Sequence, residues 1–234
     1  MMAKQPPGSG RGMSTRLKTA EGRSTASQRW LTRQLNDPYV KAAKERGLRS
    51  RAAFKLLEMD EKLKLLKPGL RVVDLGAAPG GWTQVAVQVV GPKGQVVAID
   101  ILPMDPVPGA TVLQGDFQDP EAEQRTIEAM RGRADVVLSD MAPNTTGHQA
   151  TDHLRIMALA EIGLDFARRV LAPRGAFIAK VLQGGTTGEM LATLKRDFVT
   201  VRHVKPPASR KDSAELYVVA TGFRGGVMTA PDPL

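Results

Sequence analysis

A short apolar stretch at residues 70–75 runs into Asp74-Leu-Gly-Ala-Ala-Pro-Gly-Gly-Trp82, and a helical pattern starts on the far side at residues 83–90. Strand, glycine-rich turn and helix in direct succession constrain this chain more than any other feature. They form the opening unit of an α/β fold whose turn lets a nucleotide come close to the backbone. The alternation continues. Residues 95–100, 110–114, 134–139 and 175–181 read as strands, and residues 152–171 place Ile156, Leu159, Ala160, Leu164, Ala167 and Leu171 at helical spacing. Two more strands are predicted near residues 199–204 and 215–220, flanking the basic loop 205–211. Upstream, Ser50 is predicted to N-cap a helix that carries Lys55 and the apolar Ala53, Phe54, Leu57 and Leu63. The expected fold is α/β, a Rossmann-like, mostly parallel seven-stranded sheet with helices on both faces. Such sheets bind ligands at the carboxyl ends of their strands, where Asp74, Asp100, Asp140 and Lys180 fall.

The turn chemistry narrows the ligand. Glycines 76, 80 and 81 do not follow G-x-G-x-x-G, and Pro79 stands where a dinucleotide loop offers an amide N–H to pyrophosphate. That counts against a nicotinamide dehydrogenase. S-Adenosylmethionine has no pyrophosphate and needs a carboxylate for its ribose hydroxyls and a polar contact for adenine. Asp100, closing the second strand, suits the first need, and Asp116 in Gln114-Gly-Asp-Phe117 suits the second. Any one of these acids could instead cap a loop or helix, but the ordered set is harder to explain that way.

Charge is unevenly spread. Of the net +9, residues 1–55 hold +10 and residues 56–234 hold −1. A basic segment on a near-neutral body is the footprint of a polyanion binder, and nucleic acid is the expected partner; a solubilising tail is the plainer alternative. The chain has no cysteine, which removes disulfides, thiolate nucleophiles and cysteine-based zinc sites, and His148, His153 and His203 show no metal-ligand spacing. A metal-free mechanism is expected. No apolar run approaches the roughly 20 residues needed to span a bilayer, and the first residues lack the apolar segment of a secretory signal. Pro6, Pro7, Gly8 and Gly10 oppose the amphipathic helix of a mitochondrial transit peptide. A cytoplasmic protein without a membrane partner is expected.

Six segments carry a resemblance: DLGAAPGGW (74–82), DILPMDP (100–106), QGDF (114–117), SDMAPN (139–144), FIAKVLQG (177–184) and SAELYVVATG (213–222). In this order, from roughly Tyr39 to Gly222, the chain resembles the bacterial FtsJ/RlmE ribosomal RNA methyltransferases. The resemblance implies methylation, from S-adenosylmethionine, of a ribose 2′-hydroxyl, that of a uridine in the A-loop of large-subunit (23S) ribosomal RNA. The RNA partner would then be met within the large subunit or its precursor, by a monomeric enzyme. Cofactor contacts are implied at Gly80, Trp82, Asp100, Asp116 and Asp140, and a catalytic set at Lys55, Asp140, Lys180 and Glu215. The expected organisation is a disordered basic arm at 1–28, a catalytic domain at 29–224 and a flexible tail at 225–234. A family member acting on transfer RNA or an RNA cap is the nearest alternative, and a non-catalytic RNA-binding module is the alternative of a different class.

The residue types suit that chemistry. A neutral ribose hydroxyl is a poor nucleophile, so the site must align one displacement and handle one proton. Lys180 interrupts the apolar run 177–182, where an unpaired ammonium is costly, while Lys55 on a helix would most often be a solvated surface group. Free lysine titrates near 10.4, so Lys180 as a proton acceptor has to be tuned by its neighbours. Alternatively it stays protonated and steers the oxygen while water takes the proton. The arm yields a separate expectation. Deleting residues 1–28 should weaken RNA binding and flatten its salt dependence while leaving cofactor affinity unchanged. An unchanged salt slope in filter-binding titrations would reduce the arm to a solubilising tail.

Overall fold

The computed structural model describes residues 34–143, 146–184 and 188–225, together with residues 24, 28, 31, 32 and 186. Apart from Ser24 and Gln28, the predicted arm lies outside the described residues, as do Trp30, Asn144 and the tail from residue 226.

From Pro38 on, the helices and strands of the described residues follow in the order α1 (Pro38–Glu45), α2 (Ala52–Leu63), β1 (Arg71–Leu75), α3 (Gly81–Val90), β2 (Gln95–Asp100), β3 (Ala110–Gln114), α4 (Pro120–Met130), β4 (Ala134–Ser139), α5 (Gln149–Val170), β5 (Leu171–Leu182), α6 (Gly188–Asp197), β6 (Phe198–Val204) and β7 (Glu215–Phe223). The strands form one sheet ordered β3-β2-β1-β4-β5-β7-β6. Pairings are parallel from β3 through β5, and β7 runs antiparallel between β5 and β6. This is the expected seven-stranded, mostly parallel architecture. No helix among the described residues is long and apolar enough to cross a membrane.

Local chemistry starts several of the helices. Asp37 and Asp119 each accept an N–H from the second residue beyond, ahead of Pro38 and Pro120 at the first helical position. Ser50 does not play that part for α2. The cap position is Arg51, and the Ser50 hydroxyl is buried without a hydrogen-bond partner against Gly81, at a site where a Cβ would lie 2.3 Å from it. Close packing of α2 on the start of α3 takes precedence over capping. The C-terminal β strand is longer than predicted, reaching Phe223, and β5 begins four residues early, at Leu171.

Strand alternation divides the core into two layers. Val73, Leu75, Val97, Ile99, Val137, Phe177, Ala179 and Val181 pack with Phe166 and Leu164 of α5 on one face. Val72, Val96, Val136, Leu138, Ile178 and Val219 pack with Leu56 and Met59 of α2 and Trp82 and Val85 of α3 on the other. Parity therefore sends Lys180, Glu215 and Tyr217 to the α2 side, because they are in step with Ile178 and Val219. The chain's reversal of direction between β1 and β4 opens a crevice at the carboxyl ends of those strands.

Gly76 sits at the floor of that crevice with φ 73°, and a Cβ there would come within 2.7 Å of Met141 Cα. Gly47 has a similar φ of 66° but open space around it. Left-handed backbone costs an L-residue about 1–2 kcal/mol, so Gly47→Ala should lose about that much stability. Gly76→Ala should lose clearly more, since backbone must also move. Urea denaturation of the two variants checks this; equal losses would show that the Gly76–Met141 approach does not matter.

Candidate active site

The crevice is a cleft of about 740 Å³ lined by, among others, Gly76, Asp100, Asp116, Phe117, Asp140 and Lys180. Arg155, Ala158 and Leu159 from the first turns of α5 close its other side. Asp100 is held by two main-chain donors, Ala78 N and Leu102 N, each at 2.8 Å. Both carboxylate oxygens keep lone pairs for a ligand diol. Asp116 accepts from Gln118 N at 3.0 Å through one oxygen, which leaves its other oxygen without a hydrogen bond among the described residues.

Behind Lys180 runs a chain of polar contacts on the α2 face of the sheet. Lys180 Nζ donates to Asp140 Oδ1 at 2.8 Å and to the Asp140 carbonyl at 2.9 Å. Tyr217 donates its hydroxyl to the same Oδ1 at 2.8 Å and accepts from Lys55 Nζ at 3.1 Å. Lys55 also pairs with Glu215 at 2.7 Å, and Ser209 donates to that carboxylate at 2.9 Å. The four residues of the implied catalytic set are thus joined in one network. Lys55 is not a solvated helix lysine, since its side chain is only 11% exposed.

Electrostatics within the network are mutually dependent. Burial disfavours the charge on Lys180, but the carboxylates of Asp140 and Glu215 outweigh it and raise its pKa above the ordinary lysine value. Burial likewise disfavours the Asp140 anion, yet Lys180 and Lys55 hold its pKa below the usual carboxylate value. Burial and the neighbouring Asp140 and Glu215 charges push the Tyr217 phenol well up, so it stays a proton donor. Asp74 is different. It is fully buried, accepts from the Thr83 hydroxyl at 2.7 Å and leaves Oδ1 without a partner among the described residues. Burial, with Asp140 and Asp100 nearby, pushes its carboxyl up to about 7.

The structure brings Asp100, Asp116, Asp140 and Lys180 to the cleft wall, with Lys55 and Glu215 in the layer behind. Gly80 and Trp82 stand apart from the cleft lining. Gly80 precedes α3 with φ 103° and faces Arg49 and Met104. The Trp82 indole is buried in the α2–α3 core, donates to Ala52 O at 2.8 Å and packs 5.4 Å from the Tyr217 ring.

Two residues escaped the sequence reading. Tyr217 lies two residues beyond Glu215 and opposite Lys180 in the β5–β7 register, so the period-two rule applied to 213–222 could have found it. Arg49 had no such signal. Its guanidinium donates to Pro79 O, Asp105 O and Pro106 O at 3.3, 2.6 and 2.6 Å, clipping the glycine loop to the loop after β2. Only the folded chain reveals that those carbonyls converge.

Comparison with known proteins gives this geometry a context. The pattern of the FtsJ-like methyltransferases matches residues 48–223. A protein of Azorhizobium caulinodans named ribosomal RNA large subunit methyltransferase E is 62% identical over 225 residues, covering 95% of this chain and 94% of its own. Its namesake from Acidiphilium cryptum is 62% identical over 223 residues, covering 95% and 98%. Among solved structures, a protein of Plasmodium falciparum assigned as a ribosomal RNA methyltransferase superposes with a TM-score of 0.68 at 30% identity, covering 76% of this chain and all of its own. Fibrillarin of Aeropyrum pernix, solved with natively bound S-adenosyl-L-methionine, shares the fold at TM-score 0.50 and 18% identity, covering 74% and 75%. Identity of this extent over nearly the whole of both chains does not arise between unrelated proteins, and this chain belongs to the FtsJ-like methyltransferase family.

Proposed function

We propose that this protein methylates a ribose 2′-hydroxyl of large-subunit ribosomal RNA, a uridine of the A-loop being the expected target, with S-adenosylmethionine as methyl donor. The observation that carries the reading is the Lys180–Asp140–Tyr217–Lys55–Glu215 network, which presents one buried ammonium to a cleft otherwise rich in carboxylates. The names of relatives 62% identical over almost their whole length support ribosomal RNA over transfer RNA or a cap. All proposed catalytic groups come from one chain, which fits a monomer, and a ribosomal RNA substrate fits action in the cytoplasm.

The cleft suits the cofactor. Three acids, Asp100, Asp116 and Asp140, line it and complement a cation. Asp100 would hold the ribose diol, Asp116 the adenine amino group, and Ile101 and Phe117 the flat faces of the base. Gly80 and Trp82 would act through the loop and first turn of α3, where unpaired backbone N–H groups favour a carboxylate. When bound, S-adenosylmethionine supplies a methyl already activated by its sulfonium charge. The chain's own tasks are then to hold the 2′-oxygen in line and to manage its proton.

Lys180 is the group for the second task, and its state decides how. Held as an ammonium by Asp140, it has two donors engaged and a third left for the ribose oxygen. Its raised pKa favours the steering role, with water taking the proton. Proton acceptance by Lys180 itself requires enough added positive charge in the closed cleft to reverse that shift.

Three expected outcomes follow from the site. Asp100→Ala should weaken cofactor binding by about ten- to a hundredfold, the loss of hydrogen bonds to a charged group, in a protein that still folds. Calorimetry finding wild-type affinity would remove Asp100 from the site. Lys180→Ala should slow single-turnover methyl transfer about 10²- to 10⁴-fold, roughly 3–5.5 kcal/mol, with cofactor and RNA affinities within a few-fold of wild type. As a base, Lys180 makes the rate rise about tenfold per pH unit below its folded pKa, which lies above the ordinary lysine range, and arginine cannot replace it. As a steering cation it gives a flat rate over pH 7–9, and Lys180→Arg keeps substantial activity. Near-wild-type turnover by Lys180→Ala, or methylation of an RNA lacking the target 2′-hydroxyl, would overturn the reading. Mapping 2′-O-methylation in ribosomal RNA from cells with and without the protein identifies the nucleotide.

A further inference from the structure

The near-neutral charge of residues 56–234 hides a separation of sign. Asp100, Asp116 and Asp140 gather at the carboxyl ends of the parallel strands. At the opposite end stand six exposed cations, Arg71, Lys93, Arg131, Arg133, Arg174 and Arg224. Lys93 lies in the turn before β2, Arg71 opens β1, Arg131 and Arg133 precede β4, and Arg174 lies in the first part of β5. Arg224 follows β7, whose antiparallel course returns its carboxyl end to this side. Those five strands are consecutive neighbours in the sheet, so at about 4.8 Å per strand the row is about 19 Å long.

Contacts tie the row together. Gln95 N donates to Leu70 O at 3.0 Å, joining the Lys93 turn to the start of β1. The Arg71 guanidinium lies over Gly132, between Arg131 and Arg133. Arg133 donates to Leu171 O at 2.9 Å, and Pro173 is the nearest neighbour to Gly225.

Two observations describe the state of these cations. First, none of the six has an ion-pair partner among the described residues. The nearby acids are otherwise engaged: Asp135 accepts Arg71 N, and Glu128 accepts from Gln124. By contrast Arg168, Arg169 and Arg196, on α5 and α6, are each paired with Asp165, Asp197 or Glu123. Second, Arg131 and Arg174 adopt φ of 50° and 69°, as Lys64 does with 54° at the end of α2, where glycine or asparagine is the favourable residue. Left-handed backbone costs an arginine about 1–2 kcal/mol, while a cation near a helix carboxyl end gains about 0.3–1 kcal/mol from the dipole. Dipole compensation alone therefore does not account for arginine at both positions.

We propose that this row is a second RNA-binding face, which grips phosphates of ribosomal RNA remote from the target nucleotide. It rests on the large-subunit reading above and deepens it. Arg174 and Lys180 are six residues apart on β5, about 20 Å, so an RNA confined to the cleft does not reach the row. An RNA that engages both the cleft and the row has to pass around the sheet, as a large folded RNA can, whereas a short hairpin held in the cleft leaves the row free.

The test is the triple variant Lys93→Gln, Arg131→Asn and Arg174→Asn, in which both left-handed positions receive a residue that tolerates them. Its melting temperature and cofactor affinity should match wild type. Co-sedimentation with large subunits lacking the modification, and filter binding to protein-free large-subunit RNA, are measured across salt concentrations beside a short A-loop hairpin. For subunit and long RNA, affinity should fall about tenfold and the salt slope should drop by about 2, since each lost phosphate contact removes about 0.7–0.9. Hairpin binding should be unchanged. Unchanged slopes on subunit and long RNA overturn the proposal. So does a loss confined to the subunit, which assigns the face to a ribosomal protein. Wild-type protein that binds but methylates none of these RNAs would overturn the target reading, while the slopes still decide the face.

Discussion

Two ammonium groups and two carboxylates share a space between the sheet and α2 that little water enters, and the surrounding elements are arranged so that this is tolerable. Lys180 and Lys55 would repel each other and Asp140 and Glu215 would do the same, but alternation of sign through Tyr217 lets every charge meet an opposite or neutral partner. Removing one member of such a buried pair strands the other, at a cost of about 3–5 kcal/mol, so the network also fixes how α2 docks on the sheet. The site and the architecture are coupled here through electrostatics as well as through the apolar packing of α2 on the sheet.

The phenol of Tyr217 gives the network its direction. With its pKa pushed well up it stays protonated, and it donates one hydrogen bond while accepting another. Trp82 packs on its ring, and the Trp82 N–H is anchored to α2. The start of α3, which follows the glycine loop, is in this way braced against the same residue that orients Asp140. Arg49 fastens the other side of that loop to the segment after β2. The proposed cofactor cleft and Lys180, the proposed proton-handling group, are therefore held by the same set of contacts, as in-line displacement demands.

Charge is organised on a larger scale by strand direction. Parallel strands put all their carboxyl ends on one side of the sheet, and the helices that connect them put theirs on the other. Acids suited to a cationic ligand collect at the first, and cations at the second. The near-zero net charge over this part of the chain thus includes charge of opposite sign at the two ends of the sheet.

Much of this was legible in the sequence. Apolar alternation marked every strand, the glycine turn marked the first βα unit, and acids at strand ends marked the cleft, because these are local patterns tied to periods of 2 and 3.6 residues. The proposed catalytic set came from resemblance, and Lys180 also from the oddity of a cation in an apolar strand; the structure joins its members in one network. Other features depend on where separate segments meet. Ser50 read as a helix cap because its spacing allows it, and it failed because α3 packs too closely for that geometry. Its helix pattern alone made Lys55 more often a surface group, and only the resemblance placed it in the catalytic set, because a helix pattern does not say which side meets the sheet. The direction of the Lys180 pKa depended on distances to Asp140 and Glu215, which lie 40 and 35 positions away in the chain. Sequence periodicity determines which face of an element is apolar; strand order, register and helix docking decide which buried charges become neighbours, and only the folded chain contains those distances.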